Sequence, residues 1–150
     1  MAQGLRSFCS LTVRSAECLD THYFACLVGV GATCVNAYLA QDVIADRHER
    51  GLFGDMSLGE CVQNYKIAVE AGLLKIISKM GISVISSYRG GYKFEATGLR
   101  RALVADYFPC MSNPLSRCGL VGLVEHALGG HESASVEHCS LLAVLGSIVI

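Results

Sequence analysis

The sequence has no tryptophan and only two prolines, Pro109 and Pro114. Proline-rich linkers and polyproline recognition segments are thereby excluded. Charge is also scarce: Asp, Glu, Lys and Arg make up 17% of the chain, and the formal net charge is -1. The basic residues are scattered, with Arg100 and Arg101 the one adjacent pair, so no basic stripe marks the chain for nucleic acid or an anionic membrane surface. The apolar stretch from Leu141 to Ile150 falls well short of the roughly 20 residues that a bilayer-spanning helix needs. No basic-then-apolar signal region opens the sequence, and the expected location is the cytoplasm. None of the eight cysteines forms a C-x-x-C pair. A disulfide scaffold is normally short and loop-rich, so these cysteines read as mostly buried small apolar residues in a reducing compartment.

What is present is apolar material in helical and strand patterns. Hydrophobic residues reach 52% of 150, enough for one domain with a real core and too many for a disordered chain. Ser7 to Val13 reads as a strand. Asp20 offers an N-cap to a helix from Tyr23 to Val30, which Gly29 and Gly31 would stop. A short strand is expected around Thr33 to Val35. A helix should follow from Ala37 to Arg50, with Leu39, Val43 and Ile44 inward and Asp46 paired to Arg50 outside. Gly51 to Met56 reads as a loop. Ser57 and Glu60 form a capping-box pattern ahead of Leu58, Cys61, Val62, Tyr65 and Val69, which share one helical face. A break is expected near Gly72, with the helix resuming from Leu73 to Met80. Ile82 to Ile85 is dense in β-branched residues and reads as a strand covered on both faces, with Ser86 to Gly91 the loop at its carboxyl end. Helices are expected from Leu99 to Tyr107, ended by Pro109, and from Leu120 to Leu128. Strands alternating with helices point to an α/β fold with parallel strands. The elements are too few for a closed eightfold barrel, which takes about 250 residues, so a partial layout is expected.

Generic motifs carry little chemistry. Gly29-Val30-Gly31 begins like a dinucleotide fingerprint, but Cys34 stands at the third glycine's place and the glycines follow a helix where they should open one. His48-Glu49 lacks a second histidine, since Leu52 occupies that position. His131, Glu132, Glu137, His138 and Cys139 cluster without a spacing that fixes a metal geometry. His22 stands at helical spacing from Cys18 and Cys26, but buried packing is the stronger reading of both thiols. The candidate site is Ser86, Ser87, Arg89 and Gly90: two hydroxyls, a guanidinium and a permissive glycine at a strand's carboxyl end could meet an anion or a neighbouring domain. Lys75 and Lys79 could add positive charge, and pairing of Arg89 with Glu95 is the plainer alternative.

Longer runs say more. Val13 to Glu17 leading to His22-Tyr23-Phe24-Ala25, GVGATCVNAYLAQ from Gly29, DRHERGLFGD from Asp46, GLLKIISKMGISVISSYRGG from Gly72 and FEATGLRRALVADYFP from Phe94 resemble the central domain of glutamate synthase large subunits, of a bacterial, NADPH-dependent kind. The resemblance covers residues 4–125, the C-terminal part of that domain, and leaves 126–150 as a divergent tail that suggests an interrupted reading frame. It implies a degenerate part of a flavin-type (β/α) barrel. It also implies a parent enzyme that converts glutamine and 2-oxoglutarate to two glutamates using reducing equivalents. In that parent, this segment would be a structural connector between the amidotransferase domain and the domain holding FMN and a 3Fe-4S cluster. Those two domains, and through the parent a small subunit, are the implied partners; neither cofactor is expected in this segment. A stand-alone interaction module or an anion-binding α/β domain is the alternative.

Overall fold

In a computed structural model, residues 8–108 and 110–134 are described. They form two units, Met1–Lys93 and Phe94–Ile150, each built around a pair of parallel strands joined by a helix.

In the first unit, β1 (Thr12–Arg14) pairs with β2 (Cys34–Asn36), placing Val13 opposite Val35, and α1 (Thr21–Gly29) is the crossover between them. The N-cap of α1 is Asp20, whose carboxylate accepts a hydrogen bond from the Tyr23 N–H at 3.2 Å. Gly31 ends the helix through a positive φ of 110°, which lets the Gly31 and Ala32 N–H groups reach Val28 O and Leu27 O. The first strand is shorter than the expected run from Ser7, and Ser7 lies outside the described residues.

Helix α2 (Tyr38–Glu49) follows β2 directly. Its inward side differs from expectation. Ala40 and the capping Ala37 are buried against Cys18, whereas Leu39 and Val43 are each 38% exposed. Two alanines beside a cysteine let the helix approach closely, and the larger side chains rotate to the rim. Tyr23, Phe24, Leu27, Val35 and Tyr65 pack around this small centre. The Arg50–Asp46 pair forms on the wet face at 3.0 Å.

Helix α3 runs unbroken from Leu58 to Lys79. Ser57 and Glu60 make the reciprocal capping box, with the Ser57 N–H donating to the Glu60 carboxylate at 2.8 Å. Cys61, Val69 and Ile77 are its buried residues. The expected break at Gly72 does not occur, because that glycine serves packing. A Cβ placed there would stand 2.6 Å from both Cγ2 and Oγ1 of Thr21 and 3.1 Å from its Cβ, so α3 meets the first turn of α1 backbone to side chain. A glycine in a helix interior costs about 1 kcal/mol relative to alanine, a penalty that a 22-residue helix packed on two others absorbs.

The strand expected from Ile82 to Ile85 is also absent. Val84 and Ile85 are exposed, and Ile85–Tyr88 forms the short helix α4. Among the described residues this unit's sheet holds β1 and β2, and neither pairs with the β-branched run.

The second unit holds β3 (Glu95–Leu99), α5 (Arg101–Tyr107), β4 (Ser112–Cys118) and α6 (Leu120–Ala134). Neither strand was legible beforehand. Leu99, expected to open a helix, closes β3 instead, and the helix begins at Arg101 with Val104 as its buried residue. Strand β4 carries Pro114, which a ladder tolerates at edges and bulges. The register runs Glu95 to Ser112, Thr97 to Leu115 and Leu99 to Cys118, so β4 has an extra residue at each step. Helix α6 outruns the expected end at Leu128, and Gly122 gives room to the Cys118 Sγ, which would lie 2.6 Å from a Cβ there.

The cysteines depart from expectation too. Cys18 and Cys61 are buried, Cys26 and Cys118 are half-buried, and Cys9, Cys34 and Cys110 are exposed; Cys139 lies outside the described residues.

The contact at Gly72 can be tested by Gly72→Ala. Helix propensity alone favours alanine by about 1 kcal/mol, but forcing a methyl against a stiff β-branched side chain costs about 1–3 kcal/mol. The expected outcome in urea denaturation is a net loss of stability, recovered when Thr21→Ala is added to make room.

Candidate functional site

The candidate residues sit where α4 meets the carboxyl end of α1, within the first unit. Ser86 and Ser87 belong to α4 and are exposed, and Arg89 is its exposed C-cap. Gly90 takes a φ of 71° and brings its backbone to the end of α1, where a Cβ would lie 3.9 Å from the Gly31 Cα. Its N–H donates to Val28 O at 3.1 Å, and the Tyr92 N–H donates to Gly29 O at 3.2 Å. These two carbonyls belong to the last turn of α1, where Val28 O also accepts the Gly31 N–H, so Gly90 adds a second donor there and Tyr92 supplies one to Gly29 O. The amides of Gly90 and Tyr92 therefore cap a helix, and the Arg89 guanidinium and the two serine hydroxyls are left on the surface. Lys75 and Lys79 are likewise exposed on α3, and Glu95 belongs to β3 in the other unit.

The residue that holds this arrangement together is Tyr88, which the sequence reading passed over. Its side chain is 0% exposed, and its hydroxyl donates to Ala25 O at 2.9 Å. Burial, with the nearby Cys26 adding to it, pushes the phenol up to about 12. An isolated tyrosine between two serines and an arginine gives no periodic signal; only the position of α1 shows why it is there.

Of the two thiols weighed beside His22, it is Cys26 that meets the imidazole, with Sγ 3.6 Å from Nε2. Burial foremost, and then the charge of Asp20, raises the Cys26 thiol above its ordinary value, which keeps it protonated and argues against a nucleophile. Cys18 is pushed up by burial in the same way. His48 uses its Nε2 on Met56 O at 2.9 Å, tethering the loop after α2, and so serves structure. No group of three His, Cys, Asp or Glu side chains suited to a metal gathers among the described residues; Glu137, His138 and Cys139 lie outside them. No helix among the described residues is long and apolar enough to cross a membrane.

An apolar hollow of about 340 Å³ opens beside α3, lined by Phe24, Val62, Tyr65, Val69 and Leu73, with exposed Lys66 at its edge. At the carboxyl ends of β1 and β2, the Arg14 guanidinium lies 4.3 Å from the centre of the Tyr38 ring.

Fold and site together define a segment of a parallel α/β protein, built as two β–α–β units whose polar groups near the candidate residues serve helix ends. The family model for the glutamate synthase central domain matches residues 1–100, and the chain belongs to that family. The chain is 61% identical over 143 residues to the glutamate synthase [NADPH] large chain of Azospirillum brasilense, covering 95% of this chain and 9% of that one. It is 44% identical over 154 aligned residues to ferredoxin-dependent glutamate synthase 2 of Synechocystis, and 37% identical over 145 to the large chain of Bacillus subtilis. Each of those alignments takes in 97% of this chain and 10% of the relative, so the chain spans about a tenth of the proteins it resembles. With 95% coverage, the first alignment continues beyond residue 125.

The Tyr88 contact has a pH signature. A phenol with a raised folded-state value contributes stability that is complete below its unfolded value of about 10 and is lost as pH rises through about 12. Tyr88→Phe removes that donor and is expected to destabilise by about 1–3 kcal/mol at neutral pH. In urea melts the gap between the two proteins should then narrow from about pH 10 upward.

Proposed function

We propose that this chain is a non-catalytic connecting segment of a glutamate synthase large chain, joining the glutamine-hydrolysing domain to the FMN-bearing synthase domain. The observation that carries the reading is the family match: nearly the whole chain aligns to about a tenth of a much longer enzyme. On this reading the parent moves the amide nitrogen of glutamine onto 2-oxoglutarate and uses reducing equivalents to yield two glutamates. The parent would be a cytoplasmic enzyme with a small subunit as a further partner. FMN and the three-iron cluster would belong to the neighbouring synthase domain of that parent.

The surfaces of the two units support a connector. Ile67, Leu74, Val84 and Ile85 are exposed in the first unit, and Leu120, Val121, Val124 and Leu128 form an exposed run on α6 in the second. Apolar side chains in such numbers favour coverage by other parts of a larger chain. Ser86, Ser87 and Arg89, all exposed beside the structural Gly90, are the polar residues proposed to face an adjoining domain.

The test is co-purification of the chain with separately expressed amidotransferase and synthase domains, with activity assayed for each mixture. The chain alone should show no glutamine-dependent glutamate formation, should bind at least one of the two domains, and should bind less tightly with Arg89→Ala. Activity of the isolated chain, or no binding to either domain, would overturn the reading. By itself the chain should self-associate in sedimentation experiments as its concentration rises, because its apolar faces are uncovered.

A further inference from the structure

We propose that the hollow beside α3 is a binding site for a small zwitterion with an apolar body, the chemistry of an α-amino acid bearing an aromatic or branched aliphatic side chain. The hollow lies within the first unit, where α1, α2 and α3 leave a space of about 340 Å³. Small-molecule sites are concave, about 300–1,000 Å³ in volume, apolar along their walls and furnished with a few polar groups that orient the ligand. Phe24 of α1, Val35 of β2, and Val62, Val69 and Leu73 of α3 supply such walls; each is buried or half-buried although the space opens to solvent. Ile67 and Leu74 of the same helix do not line it and stand 50% and 62% exposed, the form that a broad protein surface covers. The walls are also set before any ligand arrives. The Tyr65 hydroxyl donates to Cys18 O at 3.4 Å and to Leu19 O at 3.3 Å, which holds its ring in place beside the space.

The mouth decides the ligand's head. Gln41 of α2 and Lys66 and Glu70 of α3 line it and are exposed. Lys66 Nζ stands 3.8 Å from Glu70 Oε1, at the long limit of an ion pair, with the side chains 64% and 58% exposed. A surface pair of this kind contributes little, so an exchange of partners costs little. An ammonium beside a carboxylate matches a molecule that carries both charges. Its carboxylate accepts from Lys66 and its ammonium donates to Glu70, with the Gln41 amide able to serve either. A simple anion or cation would meet one attractive charge and one repulsive one. With the head at the mouth, the apolar body replaces water along the walls, a gain of about fourfold in affinity per buried methylene.

The full chain is titrated with L-phenylalanine under ligand-observed NMR, with far-UV circular dichroism confirming the fold of every variant. Saturable binding is expected, and glycine, which has the head without the body, should show none. Phenethylamine, lacking the carboxylate, and 3-phenylpropanoate, lacking the ammonium, should each bind about two- to fivefold more weakly. Lys66→Ala should erase the preference over phenethylamine, and Glu70→Ala the preference over 3-phenylpropanoate; both positions are exposed, so neither change threatens the fold. Leu73→Trp, which fills the hollow, should abolish binding. No saturable binding of L-phenylalanine to the unsubstituted chain, or binding that Leu73→Trp and both charge variants leave unaltered, would overturn the proposal. So would a chain that ignores L-phenylalanine but loses self-association, or capture by an adjoining domain, on Leu73→Trp, since the hollow would then hold a protein side chain.

Discussion

Helix α1 is held at both ends, and the first unit depends on that. At its amino end the Asp20 carboxylate takes the Tyr23 amide, while Thr21 presses against the bare backbone of Gly72. At its carboxyl end the amides of Gly90 and Tyr92 complete the carbonyls of Val28 and Gly29, and the Tyr88 hydroxyl reaches Ala25. A buried helix end without partners is costly, since each orphan carbonyl forfeits a hydrogen bond it had in water. Of the residues that look most functional in the sequence, Gly90 is the one that supplies a donor to this end. Helices α2 and α3 can then close on α1 through small residues, Ala37 and Ala40 on one side and Gly72 on the other.

This arrangement explains why a segment rich in glycine, serine and arginine has so little free chemistry. The Gly90 amide that might have cradled an anion is spent on a helix, and its conformation at positive φ is the one that aims it there. What remains outward is a guanidinium and two hydroxyls, groups suited to a polar contact with another domain. The same economy appears at His48, whose ring nitrogen holds the backbone at Met56. At Gly90 and at His48, polar groups are thus committed to the chain's own helix ends and turns.

Where the elements have strong local signals, sequence and structure agree closely. Asp20, Ser57 and Glu60 act as caps because capping needs only three neighbouring residues, and Asp46 meets Arg50 because helical spacing alone brings them together. The errors fall where a distant partner decides. Gly72 looked like a break until Thr21 was beside it. Ile82 to Ile85 has strand composition but no strand to pair with, and Leu39 and Val43 lost the inner face of α2 to alanine. Strands β3 and β4 were missed because bulges and Pro114 blur the alternation by which strands are read.

By itself the sequence determined the parallel α/β class, the capped starts of α1 and α3, and the family. These follow from local spacing, composition and long stretches of shared residues. Only the tertiary structure decided which cysteine meets His22, why Tyr88 is buried, and that Gly90 closes a helix. Each of these is a contact between segments distant in the chain or a choice between two equal helical spacings, and such choices are made by packing.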